Sequence, residues 1–332
     1  MGTFSVAKAK GWGYHHTAIQ SIGANPLDSP HTGDQREPFL QRLNDLIRLP
    51  SDDPFPETIS LRWRRLTRLR MAALRIASPF LRIARKSVLI RLQLPYPAID
   101  RWPSAYQMAS PIIRDRLQLE TPDARTFVVD IHVRRAIVPP ASTSGVQYER
   151  FVPLSFYEAV LEAVAEGASS AGLKLLVNVH TDAPDSAANW VPPDNTPRAS
   201  IEHWKQLGQV NDDGSIVLQT VSIEGIAKRF NNVRIHRSID PIAVWNLMVS
   251  ADLLVTSASS LSYVGGLLRG NAFVVSPRFW HSAPDSWLVL DKWFAQKKAG
   301  AARMEIAKYV DRSIQAKLEH AREQRTVSER RQ

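Results

Sequence analysis

From about Thr121 onward the chain repeats one unit: a short β-branched run, a polar turn, then a helical stretch. Residues 126–133, 173–180, 232–236, 252–255 and 272–275 have strand character, being short and rich in Val, Ile and Leu. Between them, residues 154–171 (with Gly172 as the stop), 241–250 and 261–268 carry helical spacing, and a weaker helical stretch lies near 200–207. Asp240-Pro241 is a helix start, with Asp as the cap and Pro in the first turn. Parallel strands need a long crossover, so this alternation specifies an α/β fold in which helices wrap a parallel sheet. Ligands of such sheets bind just outside the carboxyl ends of the strands.

The first 120 residues are less regular. Pro and Asp cluster at 25–30 and 49–56 and read as loops, while 39–49 and 107–117 read as helices. Few convincing strands show, which leaves this half either mostly helical or a poorly signalled α/β layer. The expected organisation is an N-terminal domain over 1–120 and a Rossmann-like domain over 121–300. A C-terminal helix and basic tail follow over 301–332, the last dozen residues disordered.

Length and an apolar fraction of 44% suffice for two ordinary cores. There is no cysteine, which excludes disulfides, thiolate catalysis and Cys-based zinc sites. No window is apolar enough to span a bilayer, and Met1–Val6 lacks the design of a secretory signal. Val6 also stands where a myristoylation motif wants Ser or Thr. A cytoplasmic protein is therefore expected, with possible peripheral contact at the inner face of the membrane.

The net charge of +10 points to an anionic partner. It concentrates in residues 61–92, dense in Arg and free of acids, with Leu66, Leu69, Ala73, Ile76 and Phe80 at helical spacing. Pro79 is expected to break this segment into two helices. Three readings compete for it: a solvated basic face, an anionic membrane contact, or nucleic acid, the weakest because no module signature is present.

The first strand ends in His132-Val133-Arg134-Arg135, delivering two guanidiniums to its carboxyl end. Each planar fork donates two parallel hydrogen bonds to an anion, which suits a phosphate or diphosphate. An edge strand running into a solvated basic loop is the plain alternative. A second constellation follows strand 252–255: Thr256-Ser257-Ala258-Ser259-Ser260-Leu261-Ser262-Tyr263, a hydroxyl-rich turn into a helix start. Helix-end amides and hydroxyls suit phosphate, although Ser259 or Ser260 could serve only as the cap. Gly265, Gly266 and Gly270 read as packing and turn glycines. His15-His16, His180 with Asp182, and His236 show no metal-ligand spacing. Trp190, Trp204, Trp280 and Trp287 are more ordinary as packing residues than as sugar platforms.

The order His132-Val133-Arg134-Arg135, then Glu149-Arg150-Phe151-Val152-Pro153-Leu154, then Ala251-Asp252 and Thr256–Tyr263 resembles the fucosyltransferase-related glycosyltransferases. The likeness covers about 127–281, and Gly11-Trp12-Gly13-Tyr14-His15-His16 is similar to the Gly-rich loop that opens such enzymes. The resemblance implies a GT-B fold of two Rossmann-like domains, and inverting, metal-independent transfer of a sugar, by analogy fucose from GDP-fucose, to a glycan hydroxyl. It implies Arg134 on the β-phosphate, supported by His132 and Arg135. It puts Thr256, Ser257, Ser259, Ser260 and Ser262 near the phosphates or ribose, with Asp252 reaching the base and His236, Gly11, Gly13 and His15 also at the substrate. No cofactor is implied. Family motifs often carry an acid after the second arginine, but here Ala136 follows, leaving Glu149 and Asp182 as candidates for a general base. The missing acid keeps a second reading open: a non-catalytic nucleotide- or glycan-binding protein of the same fold.

Overall fold

The computed structural model describes residues 36–49, 58–63, 68–83, 87–92, 106–134, 152–181, 223–237, 240–270, 272–278, 280–295 and 300–329. The chain forms two compact units, one centred on residues 40–116 and the other on 117–279 and 285–332.

The N-terminal elements are α1 (Arg36–Ile47), β1 (Thr58–Trp63), α2 (Arg68–Ile83), β2 (Ser87–Leu92) and α3 (Tyr106–Arg114). Strands β1 and β2 pair in parallel, in register from Thr58 opposite Ser87 to Trp63 opposite Leu92, with α2 as the crossover. The basic segment is thus strand, helix, strand, and not two helices. The two sequence alternatives for this half resolve, among the described residues, toward an α/β layer. Arginines at short intervals obscure the β-forming run Ser87-Val88-Leu89-Ile90, because they fit either period. Pro79 does not end α2. It removes one hydrogen bond, to the Arg75 carbonyl, and its ring is exposed, so the helix continues to Ile83. Arg116 ties down the end of α1 by donating to the carbonyls of Asp45, Leu46 and Arg48, which have no helical partner.

The second unit contains β3 (Thr126–Val133), α4 (Leu154–Ser170), β4 (Lys174–Thr181), α5 (Ile223–Arg229), β5 (Val233–Arg237), α6 (Pro241–Ser250), β6 (Leu253–Val255), α7 (Ser260–Leu268), β7 (Phe273–Pro277), β8 (Leu288–Leu290) and α8 (Gly300–Glu329). Its six strands run in the order β5-β4-β3-β6-β7-β8, every neighbouring pair parallel. Counted within this unit the order is 3-2-1-4-5-6, that of the Rossmann sheet. One face, through Phe127, Val129, Ile131, Val133, Val177 and Val179, packs on α4, α5 and α8 in a single apolar core. Helices α6 and α7 pack on each other, and α6 also meets β3.

Sequence expectation and structure agree on β3 and α6 to the residue, and Asp240 caps α6 by accepting from the Ile242 amide at 2.8 Å. Strand β8 and helix α5 were not anticipated; three and seven residues are too few for a periodic signal. The last dozen residues were expected disordered, yet α8 runs to Glu329. Residues 301–329 contain neither Gly nor Pro to stop it. The helix expected near 200–207 lies outside the described residues.

Candidate functional site

In a doubly wound sheet the strand order reverses at one point, and ligands bind outside the carboxyl ends of the strands there. Here that point lies between β3 and β6, which pair from Val129 opposite Leu253 to Ile131 opposite Val255. Continuing each strand brings His132, Val133 and Arg134 out beside Thr256, Ser257 and Ala258. The two constellations emerge at the same edge of the sheet.

They touch. Ser257 Oγ lies 2.8 Å from His132 Nδ1, both residues buried. Burial, then electrostatic interaction with Arg134 and His180, lowers the His132 pKa to about 3. The imidazole is therefore neutral at physiological pH. Ser262 organises the turn from inside: its hydroxyl receives the Ser257 amide at 3.2 Å and lies 3.3 Å from the Ser259 carbonyl. Thr256 donates to Ser276 Oγ on β7 at 2.9 Å. Ser259 stands at the N-cap of α7 in an extended conformation, but its side chain makes no capping hydrogen bond. The first-turn amides of α7 are thus not taken by the residue that would ordinarily satisfy one. Ser260 is exposed, and Arg134 is half-buried.

Sequence spacing singles out neither Asp130 nor Asn178, and it gives His180 no metal-ligand pattern. Residues paired across a parallel sheet point to the same face, so β3, β4 and β5 carry two polar rows there. One is Asp130, Asn178 and Arg234; the next, nearer the carboxyl edge, is His132, His180 and His236. Asp130 is fully buried and bonds His180 Nε2, while Asn178 Nδ2 donates to its other oxygen at 3.4 Å. His236 Nε2 lies 3.2 Å from Asn178 Oδ1, and its ring stacks on His180 with centroids 4.9 Å apart. Burial, then His180, lowers the His236 pKa. His180 Nδ1 is buried without a hydrogen-bond partner, a rare condition in a folded interior. One signal was available: polar side chains at alternate positions, 130 and 132, then 178 and 180, inside otherwise aliphatic strands. The three histidines do not converge, and among the described residues no group of His, Asp and Glu could hold a metal ion.

Asp252 does not join this edge. It precedes β6, so it sits at the amino end of the sheet, where Val128 N–H donates to it at 2.7 Å and Lys317 Nζ at 2.9 and 3.1 Å. Its carboxylate clips β6 to β3 and α8, and a base cannot be read by a group at the far end. Trp287 is buried against Gly266, a packing role. Arg135, Glu149, Asp182, Gly11, Gly13 and His15 lie outside the described residues.

No protein-family model matches the sequence, and no curated protein matches it. Two solved structures align with the fold. One is the Escherichia coli heptosyltransferase WaaC with ADP, at 13% identity and TM-score 0.32, over 60% of this chain and 49% of that one. In that alignment the chain spans about half the length of the enzyme. The other is WaaC with ADP-2-deoxy-2-fluoro heptose, at 10% identity and TM-score 0.31, over 82% of this chain and 78% of that one. These are loose superpositions; the sheet order defines this chain's fold.

Proposed function

We propose that the chain is a GT-B-type, inverting glycosyltransferase that moves a sugar from a nucleotide-sugar to a glycan hydroxyl without a metal. One observation carries the reading: the Arg134 strand end and the hydroxyl-rich start of α7 share the carboxyl edge at the sheet's crossover point. In the transfer, the acceptor oxygen bonds the anomeric carbon as its bond to the diphosphate oxygen breaks. The acceptor proton passes to a base, for which Glu149 and Asp182 remain the candidates, and the nucleoside diphosphate leaves with added negative charge. A guanidinium from Arg134 and helix-end amides at Ser260 to Ser262 would stabilise that charge, aided by Arg135 and the Ser257 and Ser259 hydroxyls. Neutral His132, held by Ser257, would accept or donate a hydrogen bond there without adding charge. The finer assignment, fucose from GDP-fucose, rests on the motif likeness.

The test is transfer and donor hydrolysis with GDP-, UDP-, CMP- and ADP-sugars, read beside thermal shifts with the free nucleotides. Arg134→Ala is expected to cut turnover about a hundredfold or more and to weaken nucleotide binding, with transfer in the parent insensitive to chelator. Normal turnover in the variant rejects the site. The residue after Arg135 is Ala136 and not an acid, which favours a second reading, binding without catalysis. A nucleotide-dependent stabilisation with neither transfer nor hydrolysis would establish it.

A further inference from the structure

The crossover helix of a β–α–β unit ordinarily turns its apolar stripe to the protein. In α2 an apolar stripe faces solvent: Leu69, Ala72, Ala73, Ile76 and Phe80 are all exposed, Leu69 at 84%, Ile76 at 71% and Phe80 at 70%. Their spacing of three, four, seven and eleven residues places them along one side of the helix. A single exposed Leu means nothing, but a contiguous row of large apolar side chains marks an interaction surface.

The surrounding charge selects the partner. Residues 61–92 hold nine arginines, one lysine and no acid, and Arg70, next to Leu69, is itself exposed. A nucleic acid would use the arginines but has no site for an aliphatic and aromatic row, since its backbone recognition is electrostatic. An anionic bilayer uses both, taking apolar side chains to the acyl boundary and guanidiniums among the headgroups. At 16 residues, or about 24 Å, α2 is too short and too basic to span. Among the described residues no helix is long and apolar enough to cross a membrane.

We infer that α2 is an interfacial helix that docks the protein on an anionic phospholipid surface through Leu69, Ile76 and Phe80. The docking stands apart from the proposed chemistry, and its test involves no turnover.

Nuclease-treated full-length protein is sedimented with vesicles of phosphatidylcholine alone or with about one-third phosphatidylglycerol. Binding is expected about tenfold or more tighter to the anionic vesicles and weaker as salt rises. Ile76→Asp with Phe80→Asp should lower it at least tenfold with the thermal transition unchanged, because both side chains are already in water. Since the chain has no cysteine, Phe80→Cys can carry a single environment-sensitive dye. Its emission should shift to the blue on anionic vesicles, whereas the same dye at Met304→Cys, exposed on α8, should not respond. Equal binding to neutral and anionic vesicles, wild-type binding by the double variant, or an unshifted Phe80 probe overturns the inference. So does duplex DNA binding at physiological salt without vesicle binding, which would favour nucleic acid.

Discussion

His132 is a base that the fold keeps neutral. Its ring is buried next to a guanidinium, and its Nδ1 already has the Ser257 hydroxyl. The unfolded chain takes up a proton there near pH 6.5, the folded chain only near about 3. Between those values the unfolded state holds the extra proton, so stability is lost as pH falls through that window. One such group contributes a slope approaching about 1.4 kcal/mol per pH unit. His132→Gln keeps a hydrogen-bonding side chain and removes the titration. From pH 6.5 to 5 the parent should lose about 1–2 kcal/mol more stability than the variant, measured by urea unfolding at each pH. Parallel curves would mean that His132 titrates in the native state as freely as in the unfolded one. The lowered pKa of His236 acts in the same direction and is common to both proteins. Asp130 shows how much of such a network a sequence displays. A carboxylate inside an aliphatic strand is visible as an anomaly, but its partners His180 and Asn178 lie about fifty residues away, on a strand whose register only pairing decides.

At the scale of elements, α7 has to sit close enough for its first turn to stand at the β6 exit. A Cβ on Gly266 would come within 2.6 Å of the Trp287 ring, and one on Gly265 within 2.8 Å of the Met248 sulfur. The two obstacles differ in kind. The indole is buried and rigid, whereas a thioether at the end of a flexible chain can swing aside. Gly266→Ala is expected to cost about 1–3 kcal/mol from overpacking, offset by up to about 1 kcal/mol of helix propensity. Gly265→Ala should be near neutral by the same reckoning. Denaturation midpoints of the pair decide it, and equal stability of the two variants would show that the indole side is not the tighter one. Elements with strong local signals, such as β3 with its Phe-Val-Val run and α6 with its Asp-Pro start, were legible in the sequence. Strands β1 and β2 were not, since arginine at short intervals is compatible with both helical and strand periods.

The second unit as a whole depends on its last helix. Ile306, Tyr309, Val310 and Ile314 of α8 lie in the same core as β3 and α4, and the Tyr309 hydroxyl receives the Val274 amide at 3.0 Å and donates to the Ser286 carbonyl at 2.8 Å. Lys317 adds the ion pair to Asp252. Beyond Leu318 the described residues are almost all exposed. A chain ending at residue 299 should therefore lose its near-ultraviolet circular dichroism and cooperative melt. One ending at residue 320 should keep both, within about 1 kcal/mol of the parent. A cooperative melt in the shorter chain would show that α8 is dispensable to the core.

Taken alone, the sequence determined the α/β class of the second unit, most of its strand and helix positions, and the residue types that follow β3 and β6. The class and the positions follow from periodicity and capping, which act over a few residues. Strand order, and with it the meeting of β3 with β6, was decided by tertiary structure, because adjacency between segments some 120 residues apart leaves no local trace. The same distinction joined Asp252 to Val128 and Lys317, and Asp130 to His180: a residue's chemistry is written in the chain, but its neighbours are chosen by packing.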